Sequence, residues 1–157
     1  MSNARPKTLI VSLESWPTIA RLPKALQQSG FEVAALCYRN SFLAATRYLD
    51  QLFPLRSRRF GGVVLRQLTE IINQWNPQLI IPGDDRTVFF FQRIIQLHQS
   101  GKRTFPPKML ETLNLSFGNF DWLAETTSKL RTLRRAQGLG LKTPGFACPG
   151  SVEEAVS

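Results

Sequence analysis

LIIPGDDRTVFFF, at residues 79–91, joins a short apolar run, a tight turn and an apolar helix. The run ends at Pro82-Gly83, which is a strong turn signal. Asp84 or Asp85 can then cap the helix that follows, Arg86–Gln99. An apolar run without alternation that leads into a turn and a helix is typical of a central strand in a parallel sheet. We therefore expect an α/β fold with this strand at its centre.

The helix after this turn carries apolar residues around most of its circumference, which predicts burial on more than one side. They are Val88, Phe89, Phe90, Phe91, Ile94, Ile95 and Leu97. In open α/β sheets, ligands bind outside the carboxyl ends of the strands. Asp84 and Asp85 follow such an end, so both are candidates for a site. The alternative is that one caps the helix and the other is solvated.

The composition limits the class of protein. The chain has 157 residues, of which 43% are apolar, and this suits one domain, or one domain with part of another. No apolar run approaches the ~18 residues of a membrane span, and the N-terminus lacks a secretory apolar core, so we expect a cytoplasmic protein. Cys37, Cys148 and the single histidine, His98, form neither a disulfide framework nor a metal-binding pattern.

The net charge of +9 leaves several classes of partner open. The basic residues are spread along the chain except for two clusters, one at 56–59 and one at 131–135. Nucleic acid, a phosphate-bearing small ligand, or truncation of a longer protein would each account for the surplus. No nucleic-acid-binding motif is present, and composition does not choose among the three.

Strand-like and helix-like segments alternate over the first two thirds of the chain. Strands are expected at Thr8–Leu13, Phe31–Tyr38, Gln51–Leu55 and Gln78–Ile81. The helix before Gly30 must restart or kink at Pro23. Ser41–Tyr48 resembles a short helix, and Val64–Trp75 is an amphipathic helix that Asn76-Pro77 ends. The alternation predicts a small doubly wound, Rossmann-like parallel sheet of about four strands, with helices on both faces.

The pattern changes after Gln99. We expect short helices at 108–115 and 119–125, a longer helix from Ser128, a strand at 145–148 and a helix from Ser151. The sequence stops at Ser157, one turn into that last helix, so we interpret it as a fragment of a longer protein. The expected organisation is a Rossmann-like domain at 1–127 and the start of a second domain at 128–157.

Few residues have the spacing of known catalytic motifs. There is no phosphate loop of the GxGxxG or GxxxxGK[ST] type, no Ser-His-Asp set, and no metal-ligand spacing. The remaining polar candidates are Glu14 and Ser15 after the first strand, with Asp84 and Asp85 after the fourth. At one sheet edge they could line a cleft for a small amino- or carboxyl-bearing substrate. The alternative is that Ser15 only caps a helix and Glu14 only pairs with Arg21.

Three segments, in this order, resemble the N-terminal pre-ATP-grasp region of the ATP-grasp superfamily. They are RYLDQLFPLRS at 47–57, NPQLIIPGDDRTVFFF at 76–91, and residues 128–155. In that family the third usually contains an Asp-Lys pair, then a helix, lGl-x-x-P and Ser-x-Glu-Glu-Ala. This chain has Ser128-Lys129, LGLKTP at 139–144 and SVEEA at 151–155. Ser128 replaces the usual aspartate, but serine can still cap the helix.

The resemblance implies the substrate-side domain of an ATP-dependent ligase. Such enzymes use MgATP to activate a carboxylate as an acyl-phosphate, which an amine, thiol or similar nucleophile attacks. Lys129 matches the lysine that reaches the nucleotide phosphates in many members, a role that suits a compact ammonium charge; the alternative is a solvated lysine. The family's other nucleotide-binding and Mg²⁺-binding groups belong to sequence beyond residue 157. We therefore expect this fragment alone to bind neither ATP nor Mg²⁺ tightly and to be inactive.

The partners implied are the remainder of the ATP-grasp domain and small carboxylate and amine substrates. The resemblance disfavours nucleic acid and leaves a homodimer open, and no membrane association is expected. A second hypothesis is a stand-alone α/β binding module that uses its arginine clusters for anionic partners such as nucleic acid. A third, a glycosyltransferase-like domain, is disfavoured by the segment 128–155.

Overall fold

Four parallel strands form the sheet of the first unit of the chain. The structure is a computed structural model that describes residues 4–56, 61–118, 120 and 127–146. The strands are β1 (Lys7–Val11), β2 (Glu32–Cys37), β3 (Gln51–Pro54) and β4 (Leu79–Pro82), in the order β3-β2-β1-β4. Leu9 of β1 is in register with Ala34 of β2 and with Ile80 of β4. The predicted Rossmann-like parallel sheet of four strands is therefore confirmed.

Five α-helices and one 3₁₀-helix are described. The 3₁₀-helix is Thr18–Arg21, and the α-helices are α1 (Leu22–Gln28), α2 (Gly61–Trp75), α3 (Asp85–Gln99), α4 (Pro107–Phe117) and α5 (Lys129–Gly138). The chain forms two compact units, residues 1–118 and 119–157, and of the described helices only α5 belongs to the second. The domain boundary after residue 127 remains a prediction from the sequence. The predicted segments at 119–125, 145–148 and from Ser151 lie wholly or largely outside the described residues.

Helices cover both faces of the sheet, because successive strand residues point to opposite sides. Ile10 and Ala35 belong to a buried cluster against which Leu22 and Leu26 of the α1 region pack. Phe53 of β3 is in register with Leu36 of β2, and both side chains point to the face opposite Ile10 and Ala35. The Phe53 ring meets Trp75 of α2 edge-on, with the ring centres 6.2 Å apart. Thus α1 and α2 lie on different faces, as the alternating sequence predicted.

The prediction that β4 is a central strand is wrong, since β4 lies at an edge of the sheet. Its outward-facing backbone is covered by α4: the Ser116 hydroxyl accepts a hydrogen bond of 2.8 Å from the Ile80 amide. The same hydroxyl donates to the Thr112 carbonyl within α4 at 2.6 Å. A helix over an edge strand satisfies its free amides and prevents pairing with another chain. This cover explains why the edge strand has a purely apolar sequence.

Two helical predictions are also corrected. Helix α3 buries a single stripe, Thr87, Phe91, Ile94 and Ile95, while Phe89 is 59% exposed, so burial on more than one side is wrong. Ser41–Tyr48 is a series of turns, not a helix. There the Ala44 amide bonds both the carbonyl and the hydroxyl of Ser41, and such local bonds compete with helix propagation. In contrast, the restart at Pro23 is confirmed, because the 3₁₀-helix ends and α1 begins immediately before it.

Asp50 fixes the start of β3 against β2. Its carboxylate accepts hydrogen bonds from the Val33 amide at 2.8 Å, the Arg5 guanidinium at 2.8 Å and the Gln27 side chain at 3.0 Å. Partial burial acts to raise the pKa of Asp50, but the bonds from Val33, Arg5 and Gln27 outweigh it and lower this pKa below its ordinary value. The carboxylate form therefore stabilises the fold.

We expect Asp50→Asn to remove part of the acid sensitivity of the fold. Because the folded-state pKa of Asp50 is lowered, its stabilisation is complete above the unfolded-state pKa, about 3.9, and is lost as pH falls through the folded-state pKa. The wild type should exceed the variant in unfolding free energy by about 1 kcal/mol at pH 6. The difference should shrink below about pH 4 in denaturant titrations. A difference that stays constant down to pH 2.5 would contradict this role, and Glu111→Gln, at an exposed carboxylate in the middle of α4, is the control.

Ser116→Ala should weaken the cover over β4. The substitution leaves the Ile80 amide without its acceptor, which costs about 1–2 kcal/mol of unfolding free energy. Amide hydrogen exchange should also quicken at Ile80. Ser100→Ala is the matched control, because that hydroxyl is exposed and makes one long bond of 3.4 Å to the Leu97 carbonyl. Equal effects of the two substitutions would show that the Ser116 bond contributes nothing.

Candidate functional site

The candidate site lies where the order of the strands reverses. From β1 the chain adds β2 and β3 on one side, then returns to add β4 on the other side of β1. Open α/β sheets bind their ligands at this switch point, outside the carboxyl ends of the strands. The segments that leave β1 and β4 here contain the predicted residues Glu14, Ser15, Asp84 and Asp85.

Asp84 joins these two segments through one carboxylate oxygen. Its Oδ2 accepts from the amides of Leu13 at 2.8 Å and Glu14 at 3.1 Å. The Ser12 hydroxyl lies 2.8 Å from the same oxygen and 2.7 Å from the Glu14 carbonyl. Asp84 therefore holds the loop after β1 in a fixed conformation.

The other oxygen of Asp84 caps α3. Its Oδ1 accepts from the Thr87 amide at 2.7 Å and from the Thr87 hydroxyl at 2.8 Å, and Asp84 has the extended backbone of an N-cap residue. The Thr87 hydroxyl in turn accepts from the Leu13 amide at 3.1 Å. The predicted cap is thus confirmed at Asp84, and the carboxylate has no free oxygen on which catalysis could rely.

Gly83 brings the turn after β4 against β1. Its amide donates to the Val11 carbonyl at 2.7 Å. A Cβ atom at this position would lie 3.0 Å from the Ser12 Cβ and 3.1 Å from the Val11 carbonyl oxygen. A residue without a side chain is therefore needed for this close approach, which brings Asp84 within reach of the loop after β1.

The other predicted residues keep more exposed positions. Asp85 is exposed in the first turn of α3, where its charge favours the helix dipole, and Ser15 is exposed. Ser15 caps no helix, because the 3₁₀-helix begins after Pro17. The Glu14 carboxylate accepts from the Trp16 indole at 2.8 Å instead of pairing with Arg21. The structure thus joins the Glu14 backbone, but not its carboxylate, to Asp84, while Ser15 and Asp85 are exposed.

Ser12 and Thr87 complete this network, and sequence analysis missed both. Both are fully buried polar residues that hydrogen-bond Asp84. Ser12 lies 72 residues before Asp84, and Thr87 lies three residues after it. A polar residue at the end of the apolar run of β1 was the available signal for Ser12. For Thr87, the signal was a hydroxyl three residues after an N-cap aspartate.

Lys129 and Cys37 have simple surroundings. Lys129 is the first residue of α5 and is exposed, and the Ser128 hydroxyl caps that helix by accepting from the Arg131 amide at 3.4 Å.

Burial raises the pKa of Cys37, although a bond with Ser41 opposes this, so Cys37 is a protonated core thiol at neutral pH. Within the described ranges, no group of three or more His, Cys, Asp and Glu side chains could hold a metal ion.

Solved structures share this fold. The biotin carboxylase domain of a single-chain bacterial carboxylase matches with a TM-score of 0.53 and 20% identity, over 96% of this chain and 33% of that one. An L-amino acid ligase from Bacillus licheniformis matches at 0.53 and 12%, over 90% and 32%. The biotin carboxylase domain of a Hydrogenobacter thermophilus 2-oxoglutarate carboxylase, solved as a dimer with MgADP, ADP and bicarbonate, matches at 0.51 and 17%, over 98% and 32%.

These likenesses concern the fold alone, because the identities are low. The chain spans about a third of the length of each of these solved chains. No protein-family model and no curated protein matches the sequence. Among the described residues, no helix combines the length and apolar character needed to cross a membrane.

Asp84→Ala and Asp85→Ala should separate the structural carboxylate from the exposed one. Asp84→Ala removes the acceptor for the Leu13, Glu14 and Thr87 amides and should cost about 3 kcal/mol or more of unfolding free energy. Asp85→Ala should cost less than about 1 kcal/mol, since only a favourable dipole interaction is lost. Both values come from urea denaturation monitored by circular dichroism. Similar costs for the two substitutions would contradict the assignment.

Proposed function

We propose that this chain is the N-terminal, substrate-side domain of an ATP-dependent ligase of the ATP-grasp superfamily. The observation that carries the proposal is the fold: 90% or more of the chain matches about a third of carboxylase and ligase structures. The resemblance of residues 47–57, 76–91 and 128–155 to the pre-ATP-grasp region supports the same class independently. The proposed parent activates a carboxylate as an acyl-phosphate for attack by a nucleophile.

In this proposal the first unit binds and orients the substrate. Asp84 fixes the loop after β1 through the Leu13 and Glu14 amides, so that loop does not need to be ordered when a ligand binds. The exposed Ser15 hydroxyl and Asp85 carboxylate offer an acceptor and a negative charge for an amine-bearing substrate. Asp84 itself takes no part in the chemistry, because internal donors occupy both of its oxygens.

Lys129 is the residue that we propose to contact nucleotide phosphate. MgATP would supply the phosphoryl group that activates the carboxylate. Among the described residues, Lys129 has no carboxylate within 4 Å, so its ammonium group is available to an anion. A cation at a helix start is disfavoured by the helix dipole, and a bound phosphate would compensate for this. The Mg²⁺ ligands of the proposed parent belong to sequence outside these residues.

The alternative of nucleic-acid binding has weaker support. In the first arginine cluster, Arg56 forms an ion pair of 3.2 Å with Glu70, so its charge is partly neutralised. A gel shift with duplex and single-stranded nucleic acid would detect such binding through a steep salt dependence.

We expect the 157-residue chain to bind MgATP more weakly than about 100 μM in isothermal titration calorimetry, because one lysine provides little of a nucleotide site.

The product of the full reading frame should hydrolyse ATP in the presence of a carboxylate and an amine. In it, Lys129→Ala should lower kcat/KM about 10-fold or more, since a charged contact to phosphate is lost.

Lys142→Ala is the control for Lys129→Ala, because Lys142 is another exposed lysine of the second unit and should alter kcat/KM less than about 2-fold. Micromolar MgATP binding to the isolated chain would contradict the division of roles proposed here. A stop codon directly after Ser157 would contradict the ligase proposal itself.

A further inference from the structure

A groove of about 720 Å³ runs along α2, beside the segment 103–106. Its volume lies within the range of about 300–1,000 Å³ that is typical of small-molecule sites. Its lining includes Arg66, Thr69 and Asn73 of α2, and Arg103 and Phe105 of the segment before α4. None of the residues that form the β1–β4 switch point lines it, so this is a second candidate site.

The amphipathic pattern of α2 creates one wall of the groove. The stripe Val64, Leu68, Ile71 and Ile72 is buried, and Arg66, Thr69 and Asn73 fall on another side of the helix at spacings of three and four residues. Arg66 contributes a guanidinium and Asn73 an amide to this row, while the Thr69 hydroxyl donates to the Leu65 carbonyl at 2.9 Å within the helix. Leu65, which is 8% exposed, adds an apolar patch to the same wall.

The segment 103–106 forms the opposite wall and is held in place. The Arg103 amide donates to the Leu97 carbonyl at 3.1 Å, at the end of α3. The Phe105 side chain is only 4% exposed, and the Arg103 guanidinium lies 5.3 Å from the centre of its ring. Pro106 then occupies the N-cap position of α4. The backbone bond holds the segment in place, and the ring contact favours one position of the Arg103 side chain, which lowers the entropic cost of binding.

The charges that line the groove favour an anion. Within the described residues, neither Arg66 nor Arg103 has a carboxylate within 4 Å. The one acidic residue of the lining, Glu70, pairs with Arg56 at 3.2 Å. Two guanidinium groups without a described carboxylate partner therefore line the groove together with apolar side chains. Guanidinium groups bind carboxylate and phosphate through paired hydrogen bonds.

We propose that this groove binds a small organic anion whose carboxylate or phosphate is held by Arg66 and Arg103, and whose apolar body packs against the apolar part of the lining at Val63 and Leu65. The proposal goes beyond the ligase assignment, because it uses neither Lys129 nor the switch point. Carboxylate and phosphate share the chemistry that the two arginines recognise, and the choice between them is left to measurement.

The test uses the whole 157-residue chain and three probes that share a naphthalene ring system: 2-naphthoate, 2-naphthyl phosphate and the neutral 2-naphthylmethanol. Titrations followed by amide chemical shifts should show saturable binding of at least one anion, with Kd of about 0.1–1 mM. The shifts should centre on α2 and residues 103–106. The neutral probe should bind at least about 10-fold more weakly, because it lacks the charge.

Arginine substitutions locate the anion. Arg66→Gln and Arg103→Gln should each weaken binding of the anionic probe about 10-fold, and raised salt should weaken it further. Arg93→Gln is the matched control, since Arg93 is an exposed arginine of α3 outside the groove, and it should change Kd less than about 2-fold. Unchanged unfolding transitions of the variants establish that a loss of binding is local.

Three results would overturn the proposal: no saturation by either anion up to 5 mM, equal binding of the neutral probe, or equal effects of Arg66→Gln and Arg93→Gln. Whichever anion binds more tightly identifies the class of head group. Because these titrations contain no nucleotide and need no residue beyond 157, they are independent of the ligase proposal. An inactive parent would leave them unaffected, and an empty groove would leave the ligase proposal intact.

Discussion

The Asp84 carboxylate is the interaction on which the arrangement of the first unit depends. It is a local cap for α3 through Thr87 and a long-range tie to the loop after β1 through Leu13 and Glu14. Burying a carboxylate without donors is costly, and here backbone amides and hydroxyls provide them. Because the same group serves both purposes, the start of α3 and the conformation of the β1 loop are coupled. Gly83 allows this coupling because, without a side chain, it lets the turn after β4 pack closely against Val11 and Ser12.

This use of Asp84 limits what the switch point can do. In many open sheets the crevice between diverging loops is available to a ligand, whereas here internal hydrogen bonds occupy its centre. In the ligase proposal, ligand contacts at this edge come from the exposed neighbours, Ser15 and Asp85. Trp16 and Phe42, which follow β1 and β2, are also more than half exposed, at 55% and 54%. The carboxyl edge of the sheet therefore also presents aromatic surface.

Much of the fold follows from local sequence signals. Apolar runs located the strands, Pro23 located the restart of α1, and the turn at Gly83 located the cap of α3. The position of β4 in the sheet was predicted wrongly, because burial by a neighbouring strand and burial by a helix leave the same apolar run. The difference depends on Ser116, which reaches Ile80 across 36 residues of sequence. No short-range pattern carries that pairing.

The site was less predictable than the fold for the same reason. The sequence placed Asp84 at the end of a strand, but it did not show that Ser12 and Thr87 hydrogen-bond its two oxygens. The Ser12 contact spans 72 residues of sequence. A carboxylate at a sheet edge has the same sequence context whether it faces a ligand or faces internal donors. The two cases differ in the number of hydrogen-bond donors that the fold places beside the carboxylate. Here internal donors use both oxygens, so Asp84 is a structural support at the edge of the candidate site.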